Sequence, residues 1–235
     1  MAFFLDLDGT LAEIVLNPAD ARLNERVADA LERLIGATGG AVAIVSGRSI
    51  AEADRLLDPL ILPIAGLHGA ERRRFDGAAS RRIIDEAALD ALRHSLGNLA
   101  ASHPGLFLEL KPTGMALHYR AAPALADLAR RSVEAALEPY RDRFMLQPGK
   151  MVLEIKPRGI DKGQAIAAFL EAPPFRGRPP VFAGDDLTDE AGFALVNAQD
   201  GLSIKVGEGE TQARYRLPAI DSLATWLSAV EEGVA

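Results

Sequence analysis

The chain has 235 residues, enough for one large α/β domain or two smaller ones with a sizeable core. Its 49% hydrophobic and 25% charged residues fit a soluble globular protein, and a net charge of −7 argues against nucleic acid or an anionic membrane as main partner. With no cysteine, disulfides, a thiolate nucleophile and Cys-ligated metals are excluded.

The apolar run Ala2-Phe3-Phe4-Leu5 ends in Asp6-Leu7-Asp8-Gly9-Thr10, which reads as a buried strand emerging at a sheet edge. Two carboxylates one residue apart can meet around a cation, or divide nucleophile and acid/base roles. Alone, the fragment also fits a surface turn in which Asp and Gly supply turn chemistry. A strand starting at Ala2 leaves no room for a charged leader or cleavage site, and no apolar stretch is long enough to cross a bilayer. A cytoplasmic protein is expected.

Residues 24–34 place Val27, Leu31 and Leu34 on one helical face, with Asn24 as N-cap. The run Ala41-Val42-Ala43-Ile44-Val45 ends in Ser46-Gly47-Arg48, a helix follows through Leu56, and Leu62-Pro63-Ile64-Ala65 ends in Gly66-Leu67-His68-Gly69. Continuous apolar runs alternating with helices predict a parallel sheet covered on both faces. Residues 80–156 read differently: two Ala-rich helices, strand-like runs over 106–119, and a segment 144–155 split at Pro148-Gly149. The alternation Phe107-Leu108-Glu109-Leu110-Lys111 suits an antiparallel sheet with one exposed face. The parallel pattern then resumes with a helix over 162–170, a strand over 179–183 ending in Gly184-Asp185-Asp186, a strand over 202–206, and a helix marked by Ile220, Leu223, Leu227 and Val230. The expected fold class is α/β: a Rossmann-like parallel sheet core over 1–79 and 157–235, with an inserted α+β cap over 80–156.

In such a sheet ligands bind beyond the carboxyl ends of the strands, so Asp6, Asp8, Ser46, Asp185 and Asp186 should share one rim, with Lys162 joining them from its helix start. Carboxylates in an oxygen-lined site suit Mg²⁺, and no His or Cys cluster offers a zinc site. Phosphoryl transfer from a monoester needs those parts: an anionic nucleophile, a cation between it and the phosphate dianion, and donors for the developing charge. Asp6, Mg²⁺, Lys162 and the Ser46 hydroxyl can supply them. Asp8 can move the proton if neighbouring carboxylates crowd it, and Gly9 lets the backbone approach the phosphate.

Asp6-Leu-Asp8-Gly9-Thr10-Leu11, Ser46-Gly47-Arg48, Lys162-Gly163 and Gly184-Asp185-Asp186-Leu-Thr188-Asp189-Glu190 stand in the order of the four motifs of haloacid-dehalogenase-like phosphatases, which the chain resembles. The resemblance implies that Asp6 forms an aspartyl-phosphate and that Asp8 is the general acid/base, lending its backbone carbonyl to Mg²⁺. It implies that Ser46 and Lys162 hold the phosphoryl group, that Asp6, Asp8 and Asp185 hold the metal, and that Asp186 and Asp189 give either second-rank support or direct ligation. Gly9, Thr10, Gly47 and Arg48 fall among the substrate contacts.

Over nearly its whole length the chain is similar to the trehalose-6-phosphate phosphatase family. The likeness rests on Ala65-Gly66-Leu67-His68-Gly69-Ala70-Glu71, Glu109-Leu-Lys111-Pro112, Ala116-Leu117-His118-Tyr119-Arg120 and Gly149-Lys150-Met-Val-Leu-Glu154-Ile-Lys156-Pro157. Leu7 stands where many members have Tyr, a matter of packing. The family implies that Glu109, Lys111 and Glu154 of the cap grip the sugar lacking phosphate, and that the protein works with a trehalose-6-phosphate synthase. Without it, Glu and Lys on a hairpin read as a solvated face. Other substrates of related phosphatases, sucrose 6-phosphate or mannosyl-3-phosphoglycerate, remain alternatives. A catalytically silent sugar-phosphate sensor would tolerate loss of Asp6, Asp8, Lys162 or Asp185, and all four are present. For His68, substrate contact, loop ordering and a structural hydrogen bond all fit. His118 and Arg120 read as braces of the cap hairpin, Arg72 to Arg74 as surface charge, and Trp226 as core.

Overall fold

The computed structural model describes residues 1–15, 20–149 and 151–234, with the side chains of the closing helix described as far as Ala229. Lys150 and the Val230 side chain therefore lie outside the described residues. Two compact units result: Met1–Arg81 with Asp161–Ala235, and Arg82–Ile160.

The first unit runs β1 (Ala2–Leu5), α1 (Glu25–Ala37), β2 (Val42–Val45), α2 (Ile50–Leu57), β3 (Ile64–Gly66), β4 (Glu71–Arg73) and β5 (Ala79–Arg81). The second contributes α3 (Glu86–Ser102), β6 (Phe107–Leu110), β7 (Met115–His118), α4 (Ala126–Leu137), β8 (Phe144–Gly149) and β9 (Val152–Pro157). The chain then returns to the first with α5 (Lys162–Leu170), β10 (Pro180–Gly184), α6 (Glu190–Ala198), β11 (Leu202–Val206), β12 (Tyr215–Leu217) and α7 (Ile220–Val234). This is an α/β core with an inserted α+β unit, the expected fold class.

The core sheet has the order β12-β11-β10-β1-β2-β3-β4-β5, parallel from β12 through β3. Successive β1 side chains enter opposite layers. Phe3 and Leu5 pack with α1, α2 and α7, whereas Phe4 packs with α5, α6 and Phe175. Because both layers are covered, the strands carry unbroken apolar runs. Caps fix where the helices start: Asn24 accepts from the Val27 N–H at 2.9 Å, Ser49 and Glu52 close a capping box, and Asp161 accepts from the Gln164 N–H at 2.9 Å. The strand order reverses at β1, which has β2 on one side and β10 on the other. That switch point opens a crevice beyond the strand ends where ligands bind in such sheets.

In the second unit the antiparallel order β6-β7-β9-β8 carries α3 and α4 on one face, around Leu89, Leu92, Leu117, Val133 and Ile155. Pro148 and Gly149, expected to split a hairpin, instead belong to β8 and pair with Leu153 and Val152. Pro148 is tolerated because β8 is an edge strand. The β4–β5 hairpin and β12 were not anticipated, since they are short and polar. Arg73, expected as plain surface charge, grips Asp54 with two hydrogen bonds of 2.7 and 2.8 Å and also donates to the Leu62 carbonyl. Trp226 is partly buried against Phe3, with ring centroids 6.4 Å apart.

Candidate active site

Asp6 follows β1 directly, and its N–H donates to the Ala183 carbonyl at 3.0 Å, tying the end of β1 to β10. The residue is 4% exposed and its carboxylate meets the Lys162 Nζ at 2.8 Å. Lys162, the first residue of α5, also contacts the Asp189 Oδ1 at 2.6 Å. Burial works against the Lys162 ammonium, but the charges of Asp6 and Asp189 outweigh it, so its pKa rises and it stays protonated. Two of its three N–H donors are used in this way, leaving one for a ligand.

Asp189 is fully buried. Its Oδ2 accepts the backbone N–H groups of Asp185 and Asp186 at 3.0 and 2.8 Å, while its Oδ1 accepts from Lys162. It therefore positions both the Asp185 loop and the lysine. Asp186 caps the short 3₁₀ turn Leu187–Asp189. A Cβ at Gly184 would overlap the Asp189 carboxylate, which is why the loop needs glycine there.

The Asp6, Asp185 and Asp189 oxygens lie within 4.8 Å of one another. Burial pushes Asp6 up to about 8 despite Lys162, with the charge of Asp189 adding to the rise. Asp185 is raised to about 6 by burial, then by Asp189 and Asp186. Negative charge here exceeds what the lysine neutralises. A hard divalent cation fits: every donor is oxygen, and two carboxylates would gain from a positive neighbour.

Several expected contacts differ in detail. Asp8 was expected to lend its backbone carbonyl to the metal and to move a proton if neighbouring carboxylates crowd it. Its side chain takes a bidentate grip from Arg48, at 2.8 Å to Nε and 2.6 Å to Nη2, and the carboxylates that converge are those of Asp6, Asp185 and Asp189. Thr10, placed among the substrate contacts, is fully buried and donates to the Asp185 Oδ1 at 3.3 Å. Gly9 makes room for that same carboxylate: a Cβ would overlap Asp185, and the backbone has φ +79. Gly47 lies under the His68 ring, and His68 donates its backbone N–H to the Ser46 carbonyl at 2.8 Å. Ser46 is buried at the end of β2, where its Oγ accepts the Arg48 N–H at 3.1 Å and its own hydrogen can still be donated.

Lys205 was missed. It is 5% exposed at the end of β11, and its Nζ donates to the Asp185 carbonyl. The signal was present, because a lysine inside the run Leu202-Ser-Ile-Lys-Val needs a partner if the strand is buried.

Glu109, Lys111 and Glu154 lie in the second unit. Lys111 contacts the Glu154 Oε1 at 2.6 Å, and His118 Nε2 contacts the Glu109 Oε2 at 2.8 Å, so His118 does brace the hairpin.

A family model described as trehalose-phosphatase matches residues 4–221. The chain belongs to the trehalose-phosphatase family. It is 46% identical to the trehalose-6-phosphate phosphatase of Escherichia coli K12, over 97% of this chain and 86% of that protein. Identity to a probable trehalose-phosphate phosphatase of Sinorhizobium fredii is 39%, over 97% and 87%. The crystal structure of a trehalose-6-phosphate phosphatase related protein superposes with TM-score 0.70 at 29% identity, covering 99% of this chain and 97% of that one. A phosphatase of the haloalkanoate (HAD) enzyme superfamily from Bacteroides thetaiotaomicron shares the fold, with TM-score 0.68 at 16% identity, over 100% and 95%. As a trehalose-phosphatase family member the protein is a phosphoric monoester hydrolase.

Proposed function

We propose that the protein hydrolyses trehalose 6-phosphate to trehalose and phosphate through an aspartyl-phosphate on Asp6, with Mg²⁺ held by the Asp6 and Asp185 carboxylates and the Asp8 carbonyl. The observation that carries the reading is the buried Asp6–Lys162 pair beside Asp185 at the sheet's switch point. Bound there, the metal would screen the repulsion between carboxylate and phosphate and offset the charge that develops.

Asp6 Oδ attacks phosphorus and the bond from phosphorus to the sugar oxygen breaks. Lys162, with its free N–H, and the Ser46 hydroxyl hold the phosphoryl oxygens in line. Asp8 gives a proton to the departing sugar oxygen and then takes one from the water that splits the aspartyl-phosphate. While the bidentate Arg48 grip lasts, both Asp8 oxygens face a cation and not the leaving group. That pair therefore opens in each cycle.

Glu109, Lys111 and Glu154 bind the sugar lacking phosphate, the carboxylates accepting hydroxyl protons and the lysine donating. Among the described residues no helix is long and apolar enough to cross a membrane. On this reading the enzyme works in the cytoplasm, supplied by a trehalose-6-phosphate synthase.

The test is phosphate release from trehalose 6-phosphate, sucrose 6-phosphate, mannosyl-3-phosphoglycerate and glucose 6-phosphate, each with Mg²⁺ and with EDTA. Metal-dependent release with a clear preference for trehalose 6-phosphate is expected. Equal turnover of the panel would overturn the substrate, and release that persists in EDTA would overturn the metal.

A further inference from the structure

The exposed face of the second unit's sheet has a regular layout. In the ladder Glu109 pairs with Ala116, and Ala116 pairs with Glu154, so both carboxylates rise from the same face with one methyl between them. Two strand spacings separate them, about 10 Å between backbones. Each carboxylate is tethered by one oxygen. Lys111 holds the Oε1 of Glu154 at 2.6 Å, and His118 holds the Oε2 of Glu109 at 2.8 Å. Because a carboxylate only accepts, the imidazole hydrogen in the second pair sits on Nε2. Among the described residues the other oxygens, Oε2 of Glu154 and Oε1 of Glu109, take no protein donor, so both can accept sugar hydroxyls.

The register also puts Met145 and Val152, both partly buried, on this polar face, and Phe107 is the most exposed apolar group there. Phe107 is 63% exposed, with its ring centroid 5.8 Å from that of His118. It follows from the register that Phe107 and His118 face each other directly across β6 and β7, two pairs along from Glu109 and Ala116 and so on the same face. Exposing a phenyl ring beside a tethered carboxylate does nothing for the core, which lies on the opposite face around Leu117 and Leu153. A pyranose offers hydroxyls at its rim and C–H groups on its faces, and matches a surface that offers acceptors beside a flat apolar ring.

We propose that His118 is a positioning residue for sugar recognition, holding Glu109 as Lys111 holds Glu154, and that Phe107 beside it provides the apolar surface for the sugar ring. This rests on the assignment of Glu109 and Glu154 to the sugar. His118 acts through Glu109, so its removal weakens binding of the leaving group without touching the phosphoryl chemistry.

The experiment compares wild type, His118→Ala, His118→Gln, Phe107→Ser and Phe107→Tyr on trehalose 6-phosphate and on p-nitrophenyl phosphate, whose leaving group has no sugar hydroxyl. His118→Ala should raise KM for trehalose 6-phosphate about tenfold, the scale of one charge-assisted hydrogen bond, with kcat changed less than about twofold. His118→Gln, which keeps a donor, should recover most of the loss. Phe107→Ser should raise KM as well, and Phe107→Tyr should match wild type. Losses on p-nitrophenyl phosphate should be much smaller throughout. An unchanged KM in both His118→Ala and Phe107→Ser would overturn the proposal, as would equal losses on both substrates or no recovery in His118→Gln. The wild-type panel keeps the two readings apart: lack of preference for trehalose 6-phosphate there tells against the substrate, whereas preference in wild type with no effect of the variants tells against His118 and Phe107 alone.

Discussion

A carboxylate taken out of water is costly unless a cation meets it, and Asp6, at 4% exposure, meets Lys162 at 2.8 Å. On the proposed reading, a second cation arriving at this buried group would favour the anion that attacks phosphorus. Asp6→Asn keeps the shape and an acceptor for Lys162 but has no nucleophilic oxygen anion. Its turnover of trehalose 6-phosphate should fall by ~10³-fold or more, while substrate still binds, as measured by steady-state kinetics and calorimetric titration. Gly9→Ala would push a methyl into the Asp185 carboxylate and strain a backbone at φ +79. The Mg²⁺ concentration for half-activation should rise about tenfold or more, about 1.4 kcal/mol of lost metal binding. An activation curve that overlays wild type would remove Asp185 from the metal site. Asp6 and Asp8 look alike in sequence, with one residue between them, yet differ fully in setting. Arg48, forty residues on, gives Asp8 its partner, and nothing local announces that pairing.

At the scale of elements, parallel strands deliver the site. The ends of β10, β1 and β2 lie side by side, so the residues after each converge without any loop of special design. That much could be read from apolar runs ending in Asp6, Ser46 and Asp185, because strand ends in a parallel sheet share an edge. The β4–β5 hairpin could not be read so, since Glu71-Arg-Arg73 and Ala79-Ser-Arg81 bury little and owe their pairing to β3 beside them. The bidentate Arg73–Asp54 grip, with the Leu62 carbonyl, ties β4 to α2 and the loop before β3. Arg73→Ala should lower stability by ~1–2 kcal/mol in urea titration and leave kcat intact. Lys205, at the end of β11, anchors the Asp185 carbonyl from outside the four motifs. Lys205→Met keeps the apolar stem but removes the donor, so weaker Mg²⁺ activation with an unchanged melting profile is expected. Normal activation would mean that the Asp185 loop holds itself.

For the whole molecule, the proposed reading has proton and metal competing for the same oxygens. Asp6 and Asp185, raised to about 8 and about 6, hold protons in the metal-free folded state that the unfolded chain has already lost above about 4. Because the folded state binds more protons in that window, stability of the metal-free protein falls as pH rises through it. On that reading Mg²⁺ would displace those protons, so its affinity should rise over the same range. The melting temperature should therefore increase with Mg²⁺, by mass action, and the increase should be larger at pH 8 than at pH 6. An increase independent of pH would place the ion elsewhere. In Asp6→Asn the metal-free protein should gain stability over wild type as pH rises toward 8, since the carboxylate that must ionise is gone.

The account turns on Asp6 as the group that takes the phosphate from the sugar. The most direct measurement is borohydride reduction of enzyme quenched during turnover of trehalose 6-phosphate with Mg²⁺, followed by mass spectrometry of the peptide containing residues 1–15. An acyl phosphate is reduced to the alcohol, so homoserine at position 6, absent without substrate and absent in Asp6→Asn, is the predicted result. Phosphate release with position 6 unmodified, or with the reduced residue at another carboxylate, would contradict it.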